Sequence, residues 1–382
     1  MAAPASSPST RRRRVAAALA GLATAALVGA PALPATASGR PPQRSWIAFV
    51  SDRDSAAAGT SEEVLNDDVY LLDPRTGRTV RLTTDPGIDQ VPLISADGRR
   101  LLFMSDRSTA DFPNPAHDFA FYTCRLHLSA RTPSCRHLHR VPGYVPLLVG
   151  ARYALAPDGR SVVFSQGGDL FRLVLGRTDP VLLLPRRPDA VAGANQPDIS
   201  PDGRWVAYND DGNLWRVDID GSGPTQLTPT TYRDPEQTVQ VVNAAPDISP
   251  DGSRIAFHSN PSGPEFDVFV MRAEPQSARN RPRDLTAGLV APPAPPAPGA
   301  PSLPSRPSQE RFPTWSPDGR QIAFFWYAEP SASSGYDAGE IYRVDRDGSH
   351  LTDLTDNYRA DLPIDDPRQI GDIQPDWGGR AH

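Results

Sequence analysis

The chain has no lysine: its 39 basic residues are all arginine, which reads as a record of genome base composition rather than of mechanism. Histidine is scarce, at seven residues, and there are two cysteines. No G-x-S-x-G elbow is present, so a serine hydrolase of the usual α/β kind is not supported. No H-E-x-x-H or Walker phrase is present either. Beyond the N-terminus no apolar run is long enough to cross a membrane. The formal charge is -6, a poor match to nucleic acid or anionic lipid.

What is plentiful is proline and glycine, at 43 and 29 residues. Such turn-rich composition suits many short strands better than long helices. Residues 1–37 read as a signal peptide. Arg11 to Arg14 supply the charged region, Val15 to Val28 an apolar run of small residues, and Ala35-Thr36-Ala37 the cleavage site. Removing it takes away four Arg and moves the charge to -10. An uncleaved anchor is the alternative, and the Sec and twin-arginine routes both stay open. No Cys lies near the cleavage site for a lipid anchor. A secreted or otherwise extracytoplasmic protein is expected, with no membrane insertion after cleavage.

Cys124 and Cys135 flank a turn-like stretch and are expected to form a local disulfide in an oxidising compartment. A turn centred between Ser129 and Ala130 would place them directly opposite each other. Two reduced thiols are one alternative, and because Cys135, His137 and His139 alternate on one strand face, metal binding is a third reading.

Internal repeats decide the fold. One phrase recurs around Asp97-Gly98, Asp158-Gly159, Asp202-Gly203, Asp251-Gly252 and Asp318-Gly319, each time followed by an apolar strand such as Trp205-Val206-Ala207-Tyr208. Pro presets φ, Asp favours the turn through its side chain, and Gly supplies the positive φ. Two more strands follow each hairpin, giving units of four antiparallel strands, A to D. Such units repeated about an axis are propeller blades. A sixth unit is split. Trp46-Ile47-Ala48-Phe49-Val50 is a strand B without a strand A, and Ile373-Gln374-Pro375-Asp376-Trp377 is a strand A with nothing after it. The expected fold is all-β: a six-bladed β-propeller over 45–380, closed by the C-terminal strand pairing with the N-terminal blade. A short tail, 38–44, precedes it, and a Pro/Ala-rich loop, 287–309, is inserted between blades.

These phrases, the Ile-Ala-Phe-Val-Ser-Asp-Arg run at 47–53 and the Leu-Thr ends at 82–83, 227–228 and 285–286 resemble TolB-like (WD40-like) propeller repeats. They are also similar to the propeller of prolyl oligopeptidase relatives. The resemblance covers nearly the whole mature chain, but only the propeller. No room exists for TolB's small α/β domain between Ser38 and Trp46, and the peptidases' hydrolase domain is absent.

Strand order puts the A-B and C-D turns on one face and the B-C and D-A connections on the other. The second set includes long segments at 51–67, 105–118, 259–266, 326–339, 229–243 and 287–309. Long loops on one rim of a rigid scaffold are where binding usually sits. The polar residues at the starts of the A strands there are Gln90, Arg152, Asn195, Gln196, Asn243, Arg311 and Gln374, with Asp198, Asp247 and Asp376 one step after a Pro. They form either a binding mouth or the solvated wall of a water-filled channel. Three carboxylates from different blades could also hold a Ca²⁺ through oxygen ligands. The leading expectation is a monomeric, non-catalytic propeller, without cofactor, that binds a protein, peptide or cell-envelope component on the long-loop rim. The rival is a metal-dependent lyase or hydrolase acting on a carbohydrate or lactone at the channel mouth.

Overall fold

The computed structural model describes residues 45–53, 67–107, 118–129, 132–142, 152–230, 240–287, 289, 308–328, 339–356 and 372–378. The expected signal peptide, the tail at 38–44 and nearly all of the Pro/Ala-rich loop lie outside the described residues. So do 54–66, 108–117, 231–239 and 329–338 of the long connections.

Among the described residues all regular structure is β, in six four-stranded antiparallel sheets. The first blade runs Asp372–Gly378, Trp46–Ser51, Asp68–Asp73, Arg78–Arg81 from strand A to strand D, so the chain's last strand does close the ring. The second has Asp89–Ile94, Arg100–Ser105, Ala120–His127 and Ser134–Arg140. The third has Tyr153–Leu155, Ser161–Gln166, Asp169–Val174 and Val181–Leu184. The fourth has Ala194–Ile199, Trp205–Asp210, Asn213–Asp218 and Thr225–Gln226. The fifth has Asn243–Ile248, Arg254–Ser259, Asp267–Arg272 and Arg283–Asp284. The sixth has Ser308–Trp315, Gln321–Ala328, Gly339–Asp345 and Thr352–Asp353.

The core lies between blades. Each interface carries its own apolar cluster. Trp315, Phe324 and Trp326 meet Val268 and Leu285 between the fifth and sixth blades, and Trp377, Phe49 and Tyr70 meet Ile341 and Leu354 across the seam. A B strand is covered on both sides, which is why Ile47, Ala48, Phe49 and Val50 form an unbroken apolar run with no exposure.

The recurring phrases have local causes. In the fourth blade the Gly203 N–H donates to Ser200 O at 2.8 Å, Ser200 Oγ donates to Asp202 at 2.7 Å, and Gly203 sits at φ 72. The same bonds recur at Ser95, Ser249 and Ser316. The Leu-Thr phrase is a clasp between strands D and C. The N–H groups of Leu82, Leu227 and Leu285 donate to strand C carbonyls. Thr83, Thr228 and Thr286 accept the N–H groups of Val69, Leu214 and Val268 at 2.8–2.9 Å. The Ser-Asp-Arg phrase is an ion-pair clasp: Arg53 grips both carboxylate oxygens of Asp372, and Arg107 both of Asp89, at 2.7 Å.

The structure departs from expectation in three places. Cys124 and Cys135 are bonded with Cα atoms 5.6 Å apart, but Cys135 pairs across with Leu126. The hairpin centre lies further along the chain than Ser129-Ala130, and a register shift beside Cys124 brings the two sulfurs together diagonally. The B-C connections are not uniformly long: the third and fourth blades close with tight turns through Gly167-Gly168 and Asp211-Gly212, all at positive φ. In the sixth blade Gln309 and Trp326 are strand residues, because its A and B strands run to eight residues where most blades have six.

Candidate functional site

The six A strands line the ring's axis. Near the long-loop end they enclose a cavity of about 100 Å³, lined by residues of every blade including Arg152, Gln196, Asp198, Ala245, Asp247, Thr314 and Asp376. A second cavity of about 130 Å³ opens toward the Pro-Asp-Gly turns. Asp198, Asp247, Thr314 and Asp376 line both, so they form the waist of the channel.

Five A strands share one irregularity. Val91, Gln196, Ala245, Phe312 and Gln374 each precede a proline and each sit at φ 49–56, with a shift in strand register at that point. A left-handed non-glycine residue is costly, and here it turns an N–H out of its own sheet. In three cases a side chain of the preceding blade takes that N–H. Gln374 Oε1 accepts from Val91 at 2.7 Å, Gln196 Oε1 from Ala245 at 2.9 Å, and His258 Nδ1 from Phe312 at 3.3 Å.

A second row of bonds lies at the waist. Asp376 accepts the Ile94 N–H at 2.6 Å, Asp198 that of Ile248 at 2.7 Å, Asp247 that of Trp315 at 2.9 Å, and Thr314 that of Trp377 at 3.1 Å. Each bond crosses to the next blade. The row stops where Leu93 and Ala154 take the equivalent positions, and the Ile199 N–H turns instead to its neighbour Asp198 at 2.9 Å. Burial pushes Asp198 and Asp376 up to about 7, against the hydrogen bonds that favour their charged forms. Asp247 rises well above the carboxylate range, through burial first and the charge of Asp198 second. Among the described residues no three His, Cys, Asp or Glu side chains converge as metal ligands. The donor set therefore does not fit the Ca²⁺ arrangement, nor a site built on Cys135, His137 and His139.

Above the waist, Arg152 reaches from the third blade across the channel to the sixth. Its guanidinium lies 3.8 Å from the centre of the Phe312 ring. Arg311 stacks 4.4 Å from the Phe266 ring and 5.7 Å from Tyr327, and donates to Gln309 Oε1 at 3.3 Å. His258 sits edge-on to Phe266 and Phe312 at 5.0 and 5.4 Å. Burial, then the charges of Arg311 and Arg152, hold it neutral by pulling its pKa well below the usual histidine value.

Of the ten residues expected at the mouth, Arg152, Gln196, Asp198, Asp247 and Asp376 line the channel cavity. Gln90, Asn195, Asn243, Arg311 and Gln374 are not among its lining residues. Gln90 is bonded to the Asp67 carboxylate, Asn195 donates to Gly193 O at 3.1 Å, and Asn243 bonds Gly212 O and Ser259 Oγ at 3.2 and 2.9 Å. Sequence reasoning missed His258, Phe266, Phe312 and Tyr327. The available signals were a histidine inside an apolar B strand and a Phe where the other blades' pre-proline position carries Gln, Val or Ala.

The ring, its split blade and its lined channel define the class, a six-bladed β-propeller, and in fold the chain is similar to solved TolB structures. A TolB structure from Agrobacterium tumefaciens matches with a TM-score of 0.54 and 19% identity, over 87% of this chain and 98% of that one. TolB from Acinetobacter baumannii matches at 0.52 and 16%, over 87% of this chain and 66% of that one. No family model matches the sequence, and no curated protein does.

Proposed function

We propose that this chain is an exported, non-catalytic TolB-like propeller that binds a protein, peptide or envelope component at the long-loop end of its channel. Residues 1–37 serve export, and the Cys124–Cys135 bond suits the oxidising compartment that export reaches. The reading is carried by Arg152 laid over Phe312 across the mouth, with Arg311 beside it on Phe266. Stacked arginine and aromatic groups on a rigid rim are the residue types that dominate binding energy at interfaces. The waist carboxylates fit a structural role, because they fasten one blade's backbone to the next. The test is chemical crosslinking in culture followed by mass spectrometry. Arg152→Ala and Arg311→Ala should each lower capture of the crosslinked partner by about tenfold, while circular dichroism stays that of the parent. A partner retained equally by both variants would remove the rim assignment.

A further inference from the structure

Among the described residues Arg311 is a cation without an anion: it forms no ion pair, its one side-chain bond is to an amide oxygen, and its Nε is buried without an acceptor. Its flat face is covered by Phe266 and Tyr327, which leaves the N–H edge as the direction in which it can bind. Phe312, the next residue, carries the Arg152 guanidinium, so two arginines are presented on one aromatic wall. The neighbouring ring of His258 accepts a backbone N–H and carries no negative charge for Arg311 to pair with. A planar guanidinium edge held by stacking matches a carboxylate. The anion must also tolerate the Asp198, Asp247 and Asp376 ring beneath Arg152. That favours a singly charged group over a phosphate, whose charge at neutral pH is about -1.5 to -2.

We propose that Arg311, with the Arg152 guanidinium laid on the adjoining Phe312, is a carboxylate-binding site that takes an acidic side chain or a C-terminal carboxylate of an extended peptide. This rests on the reading of the rim as the binding surface and adds the chemistry of its partner. Fluorescence anisotropy with three labelled hexapeptides tests it: one with a central Glu and an amidated end, one neutral with a free C-terminus, and one neutral and amidated.

At least one carboxylate-bearing peptide should bind about tenfold more tightly than the neutral one. Which of the two does so identifies the source of the carboxylate. Arg311→Gln should abolish the difference, and Arg311→Lys should restore little of it, since Lys keeps the charge but not the planar fork. Arg152→Gln, read on the same peptides, guards against a fold defect in one variant and should weaken the same preference. Equal binding of all three peptides, no binding of any, or a preference untouched by Arg311→Gln would overturn the proposal. So would competition by inorganic phosphate at lower concentration than acetate. If Arg311→Gln leaves peptide preference unchanged while Arg152→Ala still loses the crosslinked partner, the carboxylate claim falls and the rim reading stands.

Discussion

The first and third blades share one plan but are fastened differently. The first is assembled from distant parts of the chain, and side chains tie it down on every side. Arg53 grips Asp372, Trp377 donates to Thr314 in the blade before it and to Ser45, and Asp376 and Gln374 hold backbone N–H groups of the blade after it. The third blade is continuous in sequence. Its strand A has three residues and no proline, Ala154 stands where four of the other five blades carry Asp or Thr, and Val181 and Leu182 of its outer strand are exposed. Toward the second blade Tyr153 OH donates to Val91 O at 2.6 Å, and toward the fourth the ties come from its connecting segments, where Arg187 pairs with Asp210 and Asp211 and Gly168 O accepts the Ala194 N–H. Short A-B and B-C hairpins hold a continuous blade together through the chain itself. Where the chain is broken, closure has to be made by non-covalent bonds, because bringing distant segments together costs loop entropy.

The sharpest way to break that comparison is Asp372→Ala. It leaves the largely buried Arg53 guanidinium without its carboxylate, and breaking such a pair from one side costs about 3–5 kcal/mol. Urea denaturation followed by tryptophan fluorescence should show that loss. A change below about 1 kcal/mol would mean that the seam does not depend on its ion pair.

Next in size is Asp198→Ala. It removes the acceptor for the Ile199 and Ile248 N–H groups together, with an expected cost of about 2–4 kcal/mol in the same denaturation. The matched change in the third blade, Ala154→Ser, should stay within about 1 kcal/mol of the parent. Equal effects at the two positions would erase the distinction between stitched and unstitched blades.

The fold was legible because the propeller is a repetition of local chemistry. Asp-Gly turns, Leu-Thr clasps and the unmatched strands at Trp46 and Trp377 each announce a blade without any long-range information. The channel residues were half legible. Position after the proline correctly marks Asp198, Asp247 and Asp376 as inward-facing, yet their bonding partners are backbone N–H groups of other blades, which no sequence pattern names. Arg152 could be placed on the rim, but its stack on Phe312 depends on two blades facing each other across the ring. The left-handed turn at the pre-proline residues was invisible for a related reason. Proline restricts its predecessor toward extended backbone, and in three of the five blades the neighbouring blade's acceptor offsets that preference.

The smallest effect distinguishes the stitched blades by pH. Asp198 and Asp376 titrate near 7 in the folded chain, against an ordinary value of 3.8, because burial disfavours their charge. Between those values the folded protein keeps protons that the unfolded chain has released. The resulting stabilisation is full below about pH 4 and is lost as pH rises through about 7. Stability should therefore fall between about pH 4 and pH 7 and level off above that, opposite to a chain governed by salt-bridged carboxylates. Each group is only half-buried where it lines the channel cavity, so the change should be about 1–2 kcal/mol in total, well short of the full shift. Asp198→Asn combined with Asp376→Asn should flatten the slope in denaturation midpoints measured across that range. The third blade, with Ala154 at the same level, contributes nothing to it. A slope that survives the double substitution would leave it with Asp247 at the waist, which burial raises well above the usual range, or with Asp67, which burial and the neighbouring Asp52 raise to about 7. Adding Asp247→Asn separates the two: a slope that still survives would move the pH-sensitive element to the contact between the first and second blades.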